Sequence, residues 1–201
     1  MSLSLGLSTE YESPLREGAG FWIRVGARLI DMLIHFSTNI AAGLAAGILI
    51  AIGSAIRDTP PDAALAKVSE TGVIGFLAAI AGAIAMHTLA EGLHGSTIGK
   101  RVCGLTVVSE DGGPASILAA LKRNVAYLWD SLFFGFIAYR AMDPPANQRH
   151  GDTWARTQVV RIASLDPGAR RSWIWLLAVN ALGVLVDGVI VFVELASRLV
   201  S

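Results

Sequence analysis

The chain has 201 residues, of which 53% are hydrophobic and only 16% charged, and its mean hydropathy is +0.56. That composition points to the membrane and away from a soluble domain. Sixteen basic residues cancel sixteen acidic ones, which argues against a nucleic-acid footprint, and the single cysteine, Cys103, rules out an internal disulfide and a thiolate metal cage.

Residues 1–17 read as a flexible lead-in. They carry Glu10, Glu12 and Glu17 and lack an apolar core, so no cleavable signal is expected and the first membrane helix is expected to direct insertion. That helix is Phe21 to Ile56, whose second half, Ile40 to Ile56, is uncharged. At 1.5 Å per residue the apolar run is long enough to cross a hydrocarbon core of roughly 30 Å. In its first half Arg24, Arg28, Asp31 and His35 are spaced 4, 3 and 4. They fall within an arc of about 60°, one ionisable stripe that needs protein or water beside it. Arg57 to Gly72 reads as a polar loop with a Pro-Pro break, and Val73 to Leu93 as a second span. Gly43, Gly47, Gly75, Ala79 and Ala83 offer small-residue faces for helix packing.

His94 to Gly113 is turn-rich around a β-like run, Leu105 to Val108. Ile117 to Met142 is apolar but interrupted by Lys122, Arg123, Asn124 and Asp130, and divided by Gly135. A Pro-Pro loop follows, then a second β-like run, Thr157 to Ile162, and a turn at Asp166-Pro167-Gly168. Trp173 to Val200 is a final long apolar helix with Asn180, Asp187 and Glu194 seven apart, an acidic seam that would line a pathway or a dimer contact.

Lysine and arginine counts decide between topologies. If four segments cross, 8 basic residues fall on each side. If 117–142 folds back as a re-entrant element, 13 fall on one side and 3 on the other. The second arrangement obeys the positive-inside rule and leaves both β-like runs on the same side. The expected fold is an all-α integral membrane protein. It has three full spans, one re-entrant or fourth spanning segment, a small cytoplasmic β element and a cytoplasmic N-terminus.

Four blocks then carry a resemblance. Gly20-Phe21-Trp22 with Arg24 and Leu29-Ile30-Asp31 is the first. Glu91 followed by Gly95-Ser96-Thr97-Ile98-Gly99-Lys100-Arg101 and Gly104-Leu105-Thr106-Val107-Val108 is the second. Arg123 with Asp130 is the third, and Gln148-Arg149, Asp152 and Thr157-Gln158-Val159-Val160 the fourth. In this order they resemble the RDD family of bacterial membrane proteins, over Gly18 to Ile162. The resemblance places the family arginine on Arg24 and its first aspartate on Asp31, with Asp130 or Asp152 as the second. One departure is that Gly151 separates His150 from Asp152, where the family usually has His next to Asp. The expected division is a lead-in at 1–17, an RDD-like membrane domain at 18–162, and a linker with an additional helix at 163–201.

The resemblance implies transport, and the residues admit two chemistries. Arg24, Arg28, Asp31, His35, Arg123, Asp130, Arg149 and Asp152 form a candidate charge cluster for a proton or cation path. The alternative is structural pairing, with Asp31 neutralised by Arg24 or Arg28 one turn away and a buried network holding the re-entrant segment. If that segment dips into the membrane, Asp130 would lie near Asp31 or Arg24. Asp152, Arg149 and Arg156 are expected to pair in the cytoplasmic cap.

The loop motif Glu91, Gly95, Thr97, Gly99, Lys100, Gly104 lacks the spacing of a phosphate-binding P-loop. Its glycines read as turns, and Lys100 and Arg101 as contacts to anionic headgroups. His87, Glu91 and His94 share a helical face, but a carboxylate metal site needs matching ligands from other helices. No metal, cofactor or enzymatic machinery is therefore expected. The expected function is a small transporter or ion-exchange component in the bacterial inner membrane. It would be multi-pass and is expected to work as a homo-oligomer on an ion or small solute. The other class is a membrane scaffold or partner subunit whose charges only hold the bundle.

Overall fold

The structure, a computed structural model, describes residues 16–56, 58 and 72–200. The Pro-Pro loop after the first helix and most of the lead-in lie outside those residues. Three long helices dominate: α1 (Phe21–Ile56), α2 (Gly72–His94) and a last helix, Trp173–Val200. All three are long and apolar enough to cross a membrane. Only 22–28% of their apolar stretches is buried in protein, so rows such as Leu33, Phe36, Ile40 and Leu44 stand exposed. An apolar surface of that extent belongs against lipid.

Between α2 and the last helix lie α3 (Ile98–Val102), β1 (Leu105–Ser109), α4 (Ile117–Asp130), α5 (Leu132–Ala141), α6 (His150–Trp154) and β2 (Thr157–Arg161). The last helix is α7, and it packs against both α1 and α2. Close approach there depends on Gly183, where a Cβ would lie 3.0 Å from the Met86 carbonyl oxygen of α2. The small residues singled out in α1 are not the ones used. A Cβ at Gly43 or Gly47 would meet nothing within 4 Å, whereas Ala42, Ala46, Ile50 and Ser54 are buried.

The segment expected as one interrupted element is two short helices. Fourteen and ten residues rise about 21 and 15 Å, each short of a roughly 30 Å core. The helix is broken after Asp130, with left-handed backbone at Phe133 (φ 53°) and Gly135 (φ 82°). Ser116 caps the start of α4 by accepting the Ala119 N–H at 3.1 Å.

The two β-like runs pair antiparallel, Leu105 opposite Arg161 through Ser109 opposite Thr157. Gly18 bridges to Val160, and the Ala19 N–H donates to the Val159 carbonyl at 2.8 Å. The start of α1 is thereby stitched to the sheet over a core of Ala19, Ala27, Leu105, Val107, Ala115 and Val159. At the same end, the His94 ring nitrogen lies 3.2 Å from the Ser172 carbonyl, and Arg171 donates to the Leu93 carbonyl. One polar cap thus gathers the start of α1, the end of α2 and the start of α7.

Candidate functional site: a buried charge network

The stripe on α1 does not stay together as a unit, because each of its members is received by a different element. Arg24 donates to Asp152 at 2.6 Å and to the Asn147 and Ala19 carbonyls at 2.6 and 2.8 Å. Asp31 accepts from the Thr97 hydroxyl at 2.6 Å and the Gly99 N–H at 2.8 Å. This corrects the expectation that Arg24 or Arg28 neutralises Asp31. No ion pair joins them among the described residues. Thr97 also caps α3 by accepting the Lys100 N–H at 3.2 Å, so one hydroxyl links α1 to the loop and starts the helix after it.

The loop motif is explained by this docking. A Cβ on Gly99 would strike the Ala27 carbonyl and the Asp31 carboxylate. Gly95 (φ 87°) and Gly104 (φ 69°) adopt backbone that side chains disfavour. The Asn180 side chain of α7 accepts the Ile98 N–H at 3.1 Å. Lys100 does not face headgroups as expected but turns inward to pair with Glu91. Burial pulls its ammonium below the usual lysine range, with Glu91 opposing.

From Glu91 the network runs on through α4. Arg123 is 1% exposed and lies 3.1 Å from both the Glu91 and the Asp152 carboxylates. Asn124 donates to Glu91 at 3.3 Å. Asp152 is fully buried and faces three guanidiniums: Arg24 at 2.6 Å, Arg123 at 3.1 Å and Arg149 at 3.6 Å. Burial alone would raise the Asp152 carboxyl; Arg123, Arg149 and Arg24 outweigh it and hold it well below the usual carboxylate range.

Asp130 makes no hydrogen bond or ion pair with Asp31 or Arg24 among the described residues, although it lines the same cavity as Arg24. It sits 3.7 Å from Arg149 and 3.3 Å from His150 and accepts the Gly151 N–H at 3.2 Å. The glycine that separates His150 from Asp152 stands at a close approach, since its Cβ would lie 3.0 Å from Ala126 and 3.1 Å from the Arg123 carbonyl. Arg149 pairs with Asp152 as expected, whereas Arg156 makes no ion pair among the described residues.

Arg28 behaves differently from every other cation here. Its guanidinium lies 4.3 Å from the centre of the Tyr127 ring, its Nε is buried without a hydrogen-bond partner, and no carboxylate pairs with it among the described residues.

Deeper along α1 a second polar site stands apart from this network. His35 Nδ1 lies 2.7 Å from Asp187 Oδ2 of α7. Asp187 is fully buried, and its other oxygen has no partner. Gly82 of α2 faces it so closely that a Cβ would fall on the carboxylate. His35 and Asp187 are each fourteen residues from the cap-side end of their helix, about 21 Å along the axis. His87, 2% exposed, lies on α2 between Gly82 and Glu91.

Sequence reasoning found the acidic seam but not its division of labour: Asn180 docks the loop while Asp187 meets His35. The available signal was three ionisable residues, His35, His87 and Asp187, in otherwise apolar stretches. Glu91 is engaged by Lys100 and Arg123 rather than by His87 or His94, and among the described residues no group of three ligand-type side chains is placed to hold a metal.

The model of the RDD family matches residues 18–199, continuing through α7 beyond the motif blocks. No curated protein and no solved structure matches the chain.

Proposed function

The chain belongs to the RDD family, and from that premise we propose that it is a small ion-exchange or transport component whose moving charge is handled by His35 and Asp187. One observation carries the reading: a buried carboxylate 2.7 Å from an imidazole, with one oxygen unpartnered, where three apolar helices meet. Ionisable side chains at that depth are costly and mark ion or proton pathways. A carboxylate and an imidazole can pass a proton between them or share a cation's charge. His87 stands between this pair and Glu91, a stepping point toward the polar cap.

Under this reading Asp31 and Asp130 are positioning residues, each held by backbone N–H groups that fix a loop or short helix. The protein would sit in the bacterial inner membrane with the cap and N-terminus cytoplasmic, the side favoured by 13 basic residues against 3. The solute is an ion, and no chemical step is required.

A second reading, a membrane scaffold or partner subunit, is favoured by a separate observation: Glu91, Asp130 and Asp152 all have basic partners within 4 Å. Such a network can specify geometry without moving anything. The two readings separate in proteoliposomes under imposed proton and sodium gradients. Exchange flux in the wild type that is lost in a folded Asp187→Asn variant supports transport. Unchanged flux in that variant removes Asp187 from the pathway, and no flux from folded wild type under either gradient favours the scaffold.

A further inference from the structure

A cavity of about 410 Å³ opens beside the charge network, between the first turns of α1 and the α4–α5 element. Its lining mixes basic side chains, Arg24, Arg28, Lys100, Arg123 and Arg149, and the carboxylates Glu91 and Asp130 with apolar ones such as Leu29 and Met32. Leu29 and Met32 are also exposed on α1, so the apolar part of the lining reaches the outer surface of that helix.

The charges around the cavity do not close. Five cations, Arg24, Arg28, Lys100, Arg123 and Arg149, stand against four carboxylates, Asp31, Glu91, Asp130 and Asp152. Arg28 is the one of the five with no carboxylate within 4 Å among the described residues. Its Nε and the Nη1 of Arg123 are buried with no hydrogen-bond partner, a costly state for a guanidinium unless an acceptor enters. Tyr127 fixes the geometry, with Arg28 at 4.3 Å and Arg149 at 5.1 Å from its ring centre. Two guanidiniums are thereby held beside one ring, and a guanidinium fork suits a phosphate oxyanion.

We propose that this cavity binds a phosphate group through Arg28, with Arg123 and Arg149 as further donors. The phosphate could belong to an anionic phospholipid, whose glycerol and chains would leave past Leu29 and Met32, or could be free inorganic phosphate. Basic pockets between membrane helices are suited to anionic headgroups. The volume exceeds what a lone oxyanion fills and leaves room for the glycerol. The inference is independent of the transport reading, because it uses neither His35 nor Asp187.

The test is calorimetric titration of the full chain in neutral detergent. The ligands are dihexanoyl phosphatidylglycerol below its micellar concentration, inorganic phosphate, and dihexanoyl phosphatidylcholine as the zwitterionic control. Arg28 has no ion pair to lose, so Arg28→Gln should fold with a melting temperature no lower than wild type, and Arg28→Lys keeps the charge without the fork. Saturable phosphatidylglycerol binding that weakens tenfold or more in Arg28→Gln and less in Arg28→Lys is expected, and phosphatidylcholine should not bind. If inorganic phosphate binds with the same dependence on Arg28, the site is upheld and its source is the solute. Absence of binding by both anions, or binding unchanged in Arg28→Gln, overturns the proposal.

Discussion

Replacing Asp152 by asparagine isolates the centre of the network. The side chain keeps its shape and loses its charge, leaving Arg24, Arg123 and Arg149 around a neutral group, with the shortest contact at 2.6 Å and two of the three side chains at most 10% exposed. Removing one partner of a buried ion pair costs about 3–5 kcal/mol, because the remaining charge stays desolvated. For a chain of 150–250 residues each kcal/mol moves the melting temperature by about 2–4 °C. Asp152→Asn should therefore melt about 6–20 °C below wild type in detergent, read by intrinsic tryptophan fluorescence.

The effect has a pH signature. The folded Asp152 carboxyl lies below its unfolded value of about 3.9. Its contribution is complete above that value and fades as pH falls toward the folded value. The gap between wild type and variant should be full at pH 7 and should narrow below about pH 4. Adding Arg24→Gln to Asp152→Asn should cost less than Arg24→Gln does alone, since one uncompensated cation is removed. A single variant within 2 °C of wild type would refute the view that Asp152 holds the cap together.

Gly99→Ala should destabilise by about 1–3 kcal/mol through overpacking against Ala27 and Asp31. Gly20→Ala, at a position with nothing within 4 Å, serves as the control and should leave the melting temperature nearly unchanged. Gly82→Ala should displace the Asp187 carboxylate from His35. It is expected to reduce exchange flux in proteoliposomes at least tenfold while the protein still reconstitutes. His35→Gln keeps a hydrogen-bonding side chain but cannot take up a proton. It should abolish proton-coupled flux while leaving the melting temperature within a few degrees of wild type.

The three long apolar helices were legible because they follow from run length and hydropathy, and the β pairing because two short branched runs lay between turn signals. The two-part break after Asp130 was only half visible. The polar run Lys122, Arg123 and Asn124, with Asp130 and Gly135, marked an interruption, but the left-handed residue Phe133 carries no turn signal of its own. The stripe on α1 was readable as a surface needing partners, yet its partners were not. Arg24 reaches Asp152 across 128 positions, and any of several carboxylates satisfies charge complementarity equally. Asp31 escaped for a related reason. Its partners are a hydroxyl and a backbone N–H, which no count of charges reveals. The unused faces at Gly43 and Gly47 show the limit of small-residue patterns, since it is the alanines one position earlier, Ala42 and Ala46, that are buried.

Asp187→Asn and Asp31→Asn, reconstituted at matched density and assayed for proton-coupled exchange beside melting curves, test the division of roles most directly. With Asp187 as the charge-handling group, Asp187→Asn loses flux at a near-wild-type melting temperature. Asp31→Asn loses stability first and retains flux in the fraction that folds. Full flux in Asp187→Asn, with loss of flux in a stable Asp31→Asn, would contradict it and return the pathway to the stripe on α1.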